Sequence, residues 1–187
     1  MKATKRLFVG LDLPGSIKDY LAGFQNLRFE GVRWSPRANF HMTLRFLGDV
    51  DCDAEERIVD RLKETHVASF TLCVGLNGVF PDKGDPRVLW TGVGTGHPLL
   101  FQLRQRVDDA ILAANHPCEM RDFVPHITLG RCSGLKRASF RDFLNRSKNE
   151  EPGPIFKVSK FCLFESARSP DGSRYIPIKC FPLRTDA

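Results

Sequence analysis

Apolar and polar residues alternate from Arg6 to Leu13, and the run stops at Pro14-Gly15, which predicts a first strand closed by a turn. The spacing then changes. Ile17, Leu21, Phe24 and Leu27 recur at helical intervals, so a helix is expected from Ser16. After Val32-Arg33-Trp34 and Pro36, alternation resumes from Phe40 to Phe46, with Phe40, Met42, Leu44 and Phe46 expected inward and Gly48-Asp49 expected to break the strand. A second helix, capped by Asp53, is expected to place Ile58, Val59 and Leu62 on its apolar face and to run toward His66. Phe70, Leu72, Val74 and Leu76 alternate next. With the turn-rich stretch from Phe80 to Pro86 and a strand from Arg87 to Val93, they predict a long-looped hairpin.

The second half repeats this grammar. A helix from about Pro98 to Ala114, with Leu100, Leu103, Val107 and Ile111 on one face, leads to another alternating strand at His126-Ile127-Thr128-Leu129. A shorter helix carrying Phe140, Phe143 and Leu144 follows. Phe156 to Glu165 and Tyr175 to Phe181, around Ser169-Pro170-Asp171-Gly172, read as a closing hairpin. Each half offers a helix, a strand and another helix, which suggests a weak duplication with antiparallel pairing. No linker or low-complexity segment divides the chain, so residues 1–187 are expected to form a single domain of two lobes.

Composition narrows the class. With 42% apolar residues a buried core is available, and no apolar run approaches the roughly 18 residues of a membrane span. Met1-Lys2-Ala3-Thr4 leads into the first strand without a signal-type stretch, so a soluble, cytoplasmic protein is expected, with no membrane partner. The six cysteines are scattered without C-x-x-C or zinc spacing and are expected to be reduced and mostly buried. The net charge of +6 permits a polyanionic partner. Residues 1–93 carry 13 basic and 12 acidic side chains and residues 94–187 carry 15 and 10, so the excess lies in the second half. There Arg131, Lys136, Arg137, Arg141, Arg146 and Lys148 face only Asp142. That segment is either a solvated helix face or a phosphate track.

The candidate chemistry lies in the two alternating strands, His41-Met42-Thr43-Leu44 and His126-Ile127-Thr128-Leu129. Successive strand side chains point to opposite faces, so His41 shares a face with Thr43, and His126 with Thr128. Two imidazoles meeting across a cleft form an acid and a base, and each threonine hydroxyl can donate to a phosphoryl oxygen. An unperturbed histidine pKa of about 6.5 would allow both protonation states near neutral pH. By the same alternation Arg45 falls in phase with His41, whereas Arg131 is nominally out of phase with His126. Either is a candidate for neutralising phosphate, as is an ordinary surface ion pair. The pattern is H-x-T rather than H-x-H and lacks an accompanying acid, so no metal site is expected. His66, His97 and His116 read as capping or surface residues. Gly92 to Gly96 lacks the lysine of a P-loop and the full dinucleotide fingerprint, and reads as a strand-to-helix turn.

These residues resemble the RNA 2′,3′-cyclic phosphodiesterases of the two-histidine (2H) phosphoesterase superfamily, in the bacterial and archaeal branch named for 2′-5′ RNA ligase. The resemblance is carried by Arg6 to Pro14, Arg33-Trp34 with Pro36, His41 to Gly48, Val79-Phe80-Pro81 with Arg87 to Trp90, Pro125 to Leu129 and Phe164-Glu165-Ser166, in order along nearly the whole chain. It implies an α+β, bilobal fold with pseudo-two-fold duplication, in which two antiparallel sheets face each other across a central cleft and helices pack outside. It implies a monomer that needs no cofactor or metal and hydrolyses RNA 2′,3′-cyclic phosphate ends, or cyclic nucleotides, to 2′-phosphates. Carried over by motif, His41 is the proton donor, His126 the proton acceptor, and Thr43 and Thr128 bind phosphate. Two other readings compete: 2′-5′ ligation by the same groups run backwards, and a non-catalytic RNA-binding module using the basic segment and Trp34.

Overall fold

The computed structural model describes residues 3–27, 29–93, 97–117, 122–149, 153–170 and 172–185. Cys118, Asp171 and residues 94–96 of the glycine-rich turn lie outside them. Nine strands form one antiparallel path among the described residues: β1 (Thr4–Asp12), β2 (Val32–Trp34), β3 (His41–Asp51), β4 (Phe70–Phe80), β5 (Val88–Val93), β6 (His126–Cys132), β7 (Ile155–Val158), β8 (Lys160–Ser169) and β9 (Gly172–Pro182). Their order is β7-β4-β5-β6-β3-β1-β8-β9, with β2 also against β6. The two expected sheets are the halves of this path, β9-β8-β1-β3 and β7-β4-β5-β6. They meet at a single pair, Met42 opposite Ile127.

Among the described residues four α-helices accompany the strands: α1 (Gly15–Ala22), α2 (Cys52–Lys63), α3 (Pro98–Ala113) and α4 (Arg141–Asn149). Leu7, Val9 and Leu11 of β1 join Ile17, Leu21, Ile58, Leu62, Leu103, Val107 and Ile111 in one core. Phe8, on the opposite face of β1, belongs to a separate small cluster with Cys162 and Phe164. The sheet is therefore packed on both faces around β1, helices against one and the cleft on the other.

Several boundaries differ from the sequence reading. Gly48-Asp49 does not end β3, because Gly48 takes the positive φ of 75° at an irregularity in the β1 pairing and the strand runs on to Asp51. Asp51, rather than Asp53, caps α2, its carboxylate accepting the Ala54 N–H at 2.8 Å, while Asp53 and Glu55 sit in the first turn. The run from Phe156 to Glu165 is two strands, since β7 pairs with β4 and β8 with β1, at opposite ends of the path. Leu76 leaves the β4 alternation at a bulge with φ 54° and is exposed. The cysteine expectation also changes: Cys162 and Cys180 are register partners on β8 and β9 and are joined by a disulfide.

Candidate active site

Because Met42 and Ile127 stand directly opposite, their side chains share the core face, where both are fully buried. Their neighbours in each strand therefore share the other face. His41, Thr43, His126 and Thr128 are brought to one surface by this one pair. The burial sequence of His41–Leu47 repeats residue for residue in His126–Cys132.

The repeat extends to a defect in each strand. Along β1, Gly10 opposes Thr43 and Val9 opposes Arg45, leaving Leu44 as an extra residue. Along β5, Trp90 opposes Thr128 and Leu89 opposes Gly130, leaving Leu129 extra. A bulge reverses the phase of everything after it. Phe46 consequently turns out of the core and is 67% exposed, contrary to the alternation. The two arginines also exchange roles. Arg45 shares the face of buried Val9, is only 5% exposed, and pairs through both Nε and Nη2 with Asp108 of α3 at 2.7 and 2.5 Å. Arg131 shares the face of Thr128 and is exposed. Arg45 borders the cleft but does not stand beside His41 and Thr43 as expected.

Each imidazole is anchored in the same way. His41 Nδ1 lies 2.7 Å from the Asn39 carbonyl, and His126 Nδ1 lies 2.7 Å from the Val124 carbonyl. A carbonyl only accepts, so both rings carry hydrogen on Nδ1 and leave Nε2 as the nitrogen able to take up or give a proton. His41 Nε2 lies 3.0 Å from Thr43 Oγ1, which donates to it when the ring is neutral. Aromatic walls hold the rings. Phe8 and Tyr175 lie 4.8 and 4.6 Å from His41 between centroids, and Phe80 lies 5.0 Å from His126. Trp90, beside His126, occupies space that a Cβ on Gly78 would take, 2.1 Å from its ring.

Burial lowers the pKa of both histidines. His41 is pushed down to about 4, first by desolvation, with the charge of His126 acting in the same direction against the Asn39 hydrogen bond. His126 is lowered by desolvation against the Val124 hydrogen bond. The site therefore tunes both rings toward neutrality, unlike the unperturbed value expected. A cavity of about 500 Å³ flanks His126 and Thr43, lined also by Phe46, Phe80 and Phe123. A smaller one of about 180 Å³ lies toward His41, between Arg131, Arg33 and Tyr175. Among the described residues no group of three or more His, Cys, Asp or Glu could hold a metal ion. No described helix is long and apolar enough to cross a membrane.

Sequence reasoning did not single out Phe8, Phe80 or Tyr175 around the imidazoles, or Arg33 beside Arg131. Of the other histidines, His97 and His66 match the expected capping and surface roles, whereas half-buried His116 makes a tertiary hydrogen bond instead. His97 caps α3 by accepting the Leu99 N–H, His116 bonds the Leu47 carbonyl, and His66 is exposed.

An α+β sheet that delivers two H-x-T strands to one cleft defines a two-histidine phosphoesterase fold. The profile of the 2′-5′ RNA ligase superfamily matches residues 14–170, and the chain belongs to that superfamily. It is similar to the RNA 2′,3′-cyclic phosphodiesterase of Aquifex aeolicus, with 31% identity over 95% of this chain and 97% of the relative. The protein of that name from Methanocaldococcus jannaschii is 28% identical, covering 93% and 98%. The apo crystal structure of E. coli LigT superimposes with a TM-score of 0.80 at 26% identity, covering 97% of this chain and 99% of that one.

Proposed function

We propose that the protein hydrolyses RNA 2′,3′-cyclic phosphate ends to 2′-phosphates without a metal. The observation that carries this reading is the pair of Nε2 atoms, each freed by a carbonyl on Nδ1 and that of His41 3.0 Å from Thr43 Oγ1, on one face of two adjoining strands. The names of the relatives supply the substrate class. In the proposed reaction, neutral His126 takes a proton from water as its oxygen bonds phosphorus. The P–O3′ bond breaks, and protonated His41 gives its proton to the departing 3′ oxygen. Thr43, Thr128 and Arg131 donate hydrogen bonds to the remaining phosphoryl oxygens. His126 ends protonated and His41 neutral, and exchange with solvent resets them.

His41 with a pKa of about 4 is about 0.1% protonated at pH 7, so the proton donor must be charged by its substrate. An anionic cyclic phosphate in the cleft does this, because it favours the imidazolium that the empty site disfavours. Ligation of the cyclic phosphate to a 5′-hydroxyl uses the same groups in reverse, and the superfamily's name favours testing it. The direct test is an oligonucleotide with a 2′,3′-cyclic phosphate end, incubated with purified protein and EDTA. A 2′-phosphate product at an undiminished rate is expected. An uncleaved end, or activity that EDTA abolishes and a divalent ion restores, overturns the proposal.

A further inference from the structure

Three of the cations in the basic segment after β6 already have partners on the protein. Lys136 pairs with Asp85 at 2.8 Å, Arg137 donates to the Asp82 carbonyl at 2.9 Å, and Arg141 lies 4.0 Å from Asp142. The unusual cations lie elsewhere. Arg33 of β2 and Arg131 of β6 stand directly opposite across an antiparallel pair, so their guanidiniums emerge on the same face. Like charges in that position destabilise a sheet. Among the described residues neither has a carboxylate within ion-pair distance.

Both arginines line the cavity of about 180 Å³, whose other walls include Asn39 and Tyr175. Its position is closely tied to the reacting group. Tyr175 touches the His41 ring, and the Asn39 carbonyl orients that ring. The Asn39 side chain meanwhile donates to the Ser173 carbonyl at 2.7 Å, fixing the start of β9 as the far wall. The volume falls below the roughly 300–1,000 Å³ of pockets for whole drug-sized molecules, and it suits a compact anion.

We propose that Arg33, with Arg131 shared between the two phosphates through its five N–H donors, forms a second phosphate subsite beside the catalytic one, which receives the phosphate on the 5′ side of the reacting nucleotide. The inference rests on the cyclic phosphodiesterase reading and deepens it. The preferred substrate is an RNA chain end, or a nucleotide carrying a 5′-phosphate, rather than a cyclic nucleotide with a free 5′-hydroxyl. Opposed cations without a carboxylate partner among the described residues become favourable when an anion lies between them, and planar guanidiniums suit phosphate oxygens.

The test compares three cyclic phosphates: a mononucleoside with a 5′-hydroxyl, the same with a 5′-phosphate, and a dinucleotide. In the wild type the last two should have kcat/KM values about tenfold to a hundredfold above the first, the range of one to two charge-assisted hydrogen bonds. Arg33→Gln should remove most of that preference through KM while changing the 5′-hydroxyl substrate less than about threefold. Substituting Lys136 and Arg137 together should leave the preference intact. A nucleoside 2′,5′-bisphosphate, bound more tightly than the 2′-phosphate by wild type and not by Arg33→Gln, reads the subsite without turnover. Absent hydrolysis of every substrate refutes the catalytic reading, and that binding comparison still decides the subsite. A wild type indifferent to the 5′-phosphate in binding and turnover overturns the subsite, as does Arg33→Gln weakening all three substrates equally.

Discussion

Anion binding in the cleft should take up a proton, and His41 should be the group that receives it. In the empty site His41 has a pKa of about 4, so at pH 6 about 1% of its rings are protonated. A unit charge about 4 Å from the ring, at an effective dielectric of about 20, is worth about 4 kcal/mol, or about three pKa units. The occupied site then has a pKa of about 7 and is about 90% protonated at pH 6, so binding draws in about 0.9 proton. Sulfate is a suitable probe because it stays fully ionised over this range and is not turned over. Titration calorimetry at pH 6, in buffers of differing ionisation enthalpy, measures the uptake directly. Affinity should weaken about tenfold per pH unit between the free and bound pKa values and level off above the latter. In His41→Gln the uptake should fall to a small remainder due to His126. An uptake near zero in the wild type, or an undiminished one in the variant, refutes the reasoning that substrate charges the donor.

Arg45 provides a contrast with Arg131. Arg45→Met removes one of the two arginines that hold Asp108, Arg104 being the other, and should cost about 1.5–3 kcal/mol in urea unfolding; Arg131→Ala should barely move the midpoint and should raise KM. A stable Arg45→Met protein with a raised KM would return Arg45 to the phosphate. Acid titration of stability should also report His41. Because its folded pKa lies below the unfolded value near 6.5, the unfolded chain binds more protons, and stability falls as pH drops from about 6.5 to about 4. Partial exposure keeps this loss below about 3 kcal/mol, and the slope should be smaller in His41→Gln; an equal slope in both proteins contradicts the assigned shift.

The pairing of the motifs was legible because strand alternation is a local property. His41 and Thr43 share a face whatever the tertiary structure, and so do His126 and Thr128. What alternation could not supply was the bulge after each motif. Leu44 and Leu129 are ordinary strand residues, and their extra place in the ladder is visible only against Val9-Gly10 and Leu89-Trp90. That single displacement sent Arg45 to the core, brought Arg131 to the cleft and exposed Phe46. The likeness of His41–Leu47 to His126–Cys132 carried a partial signal, since both place a leucine after the threonine and Gly130 stands where Arg45 does. Tyr175 was hidden for another reason: its contact with His41 spans most of the chain. The Cys162–Cys180 link likewise depends on hairpin register rather than on any cysteine spacing.

The central claim is that two imidazoles act in one displacement at a cyclic phosphate. Single-turnover rates of His41→Ala, His126→Ala and the double variant on an oligonucleotide with a 2′,3′-cyclic phosphate end test it most directly. Each single substitution should lower the rate by about 10² to 10⁴, and the double should be little slower than the worse single. A double variant whose loss equals the product of the two, or a single variant that retains full activity, would contradict a shared step.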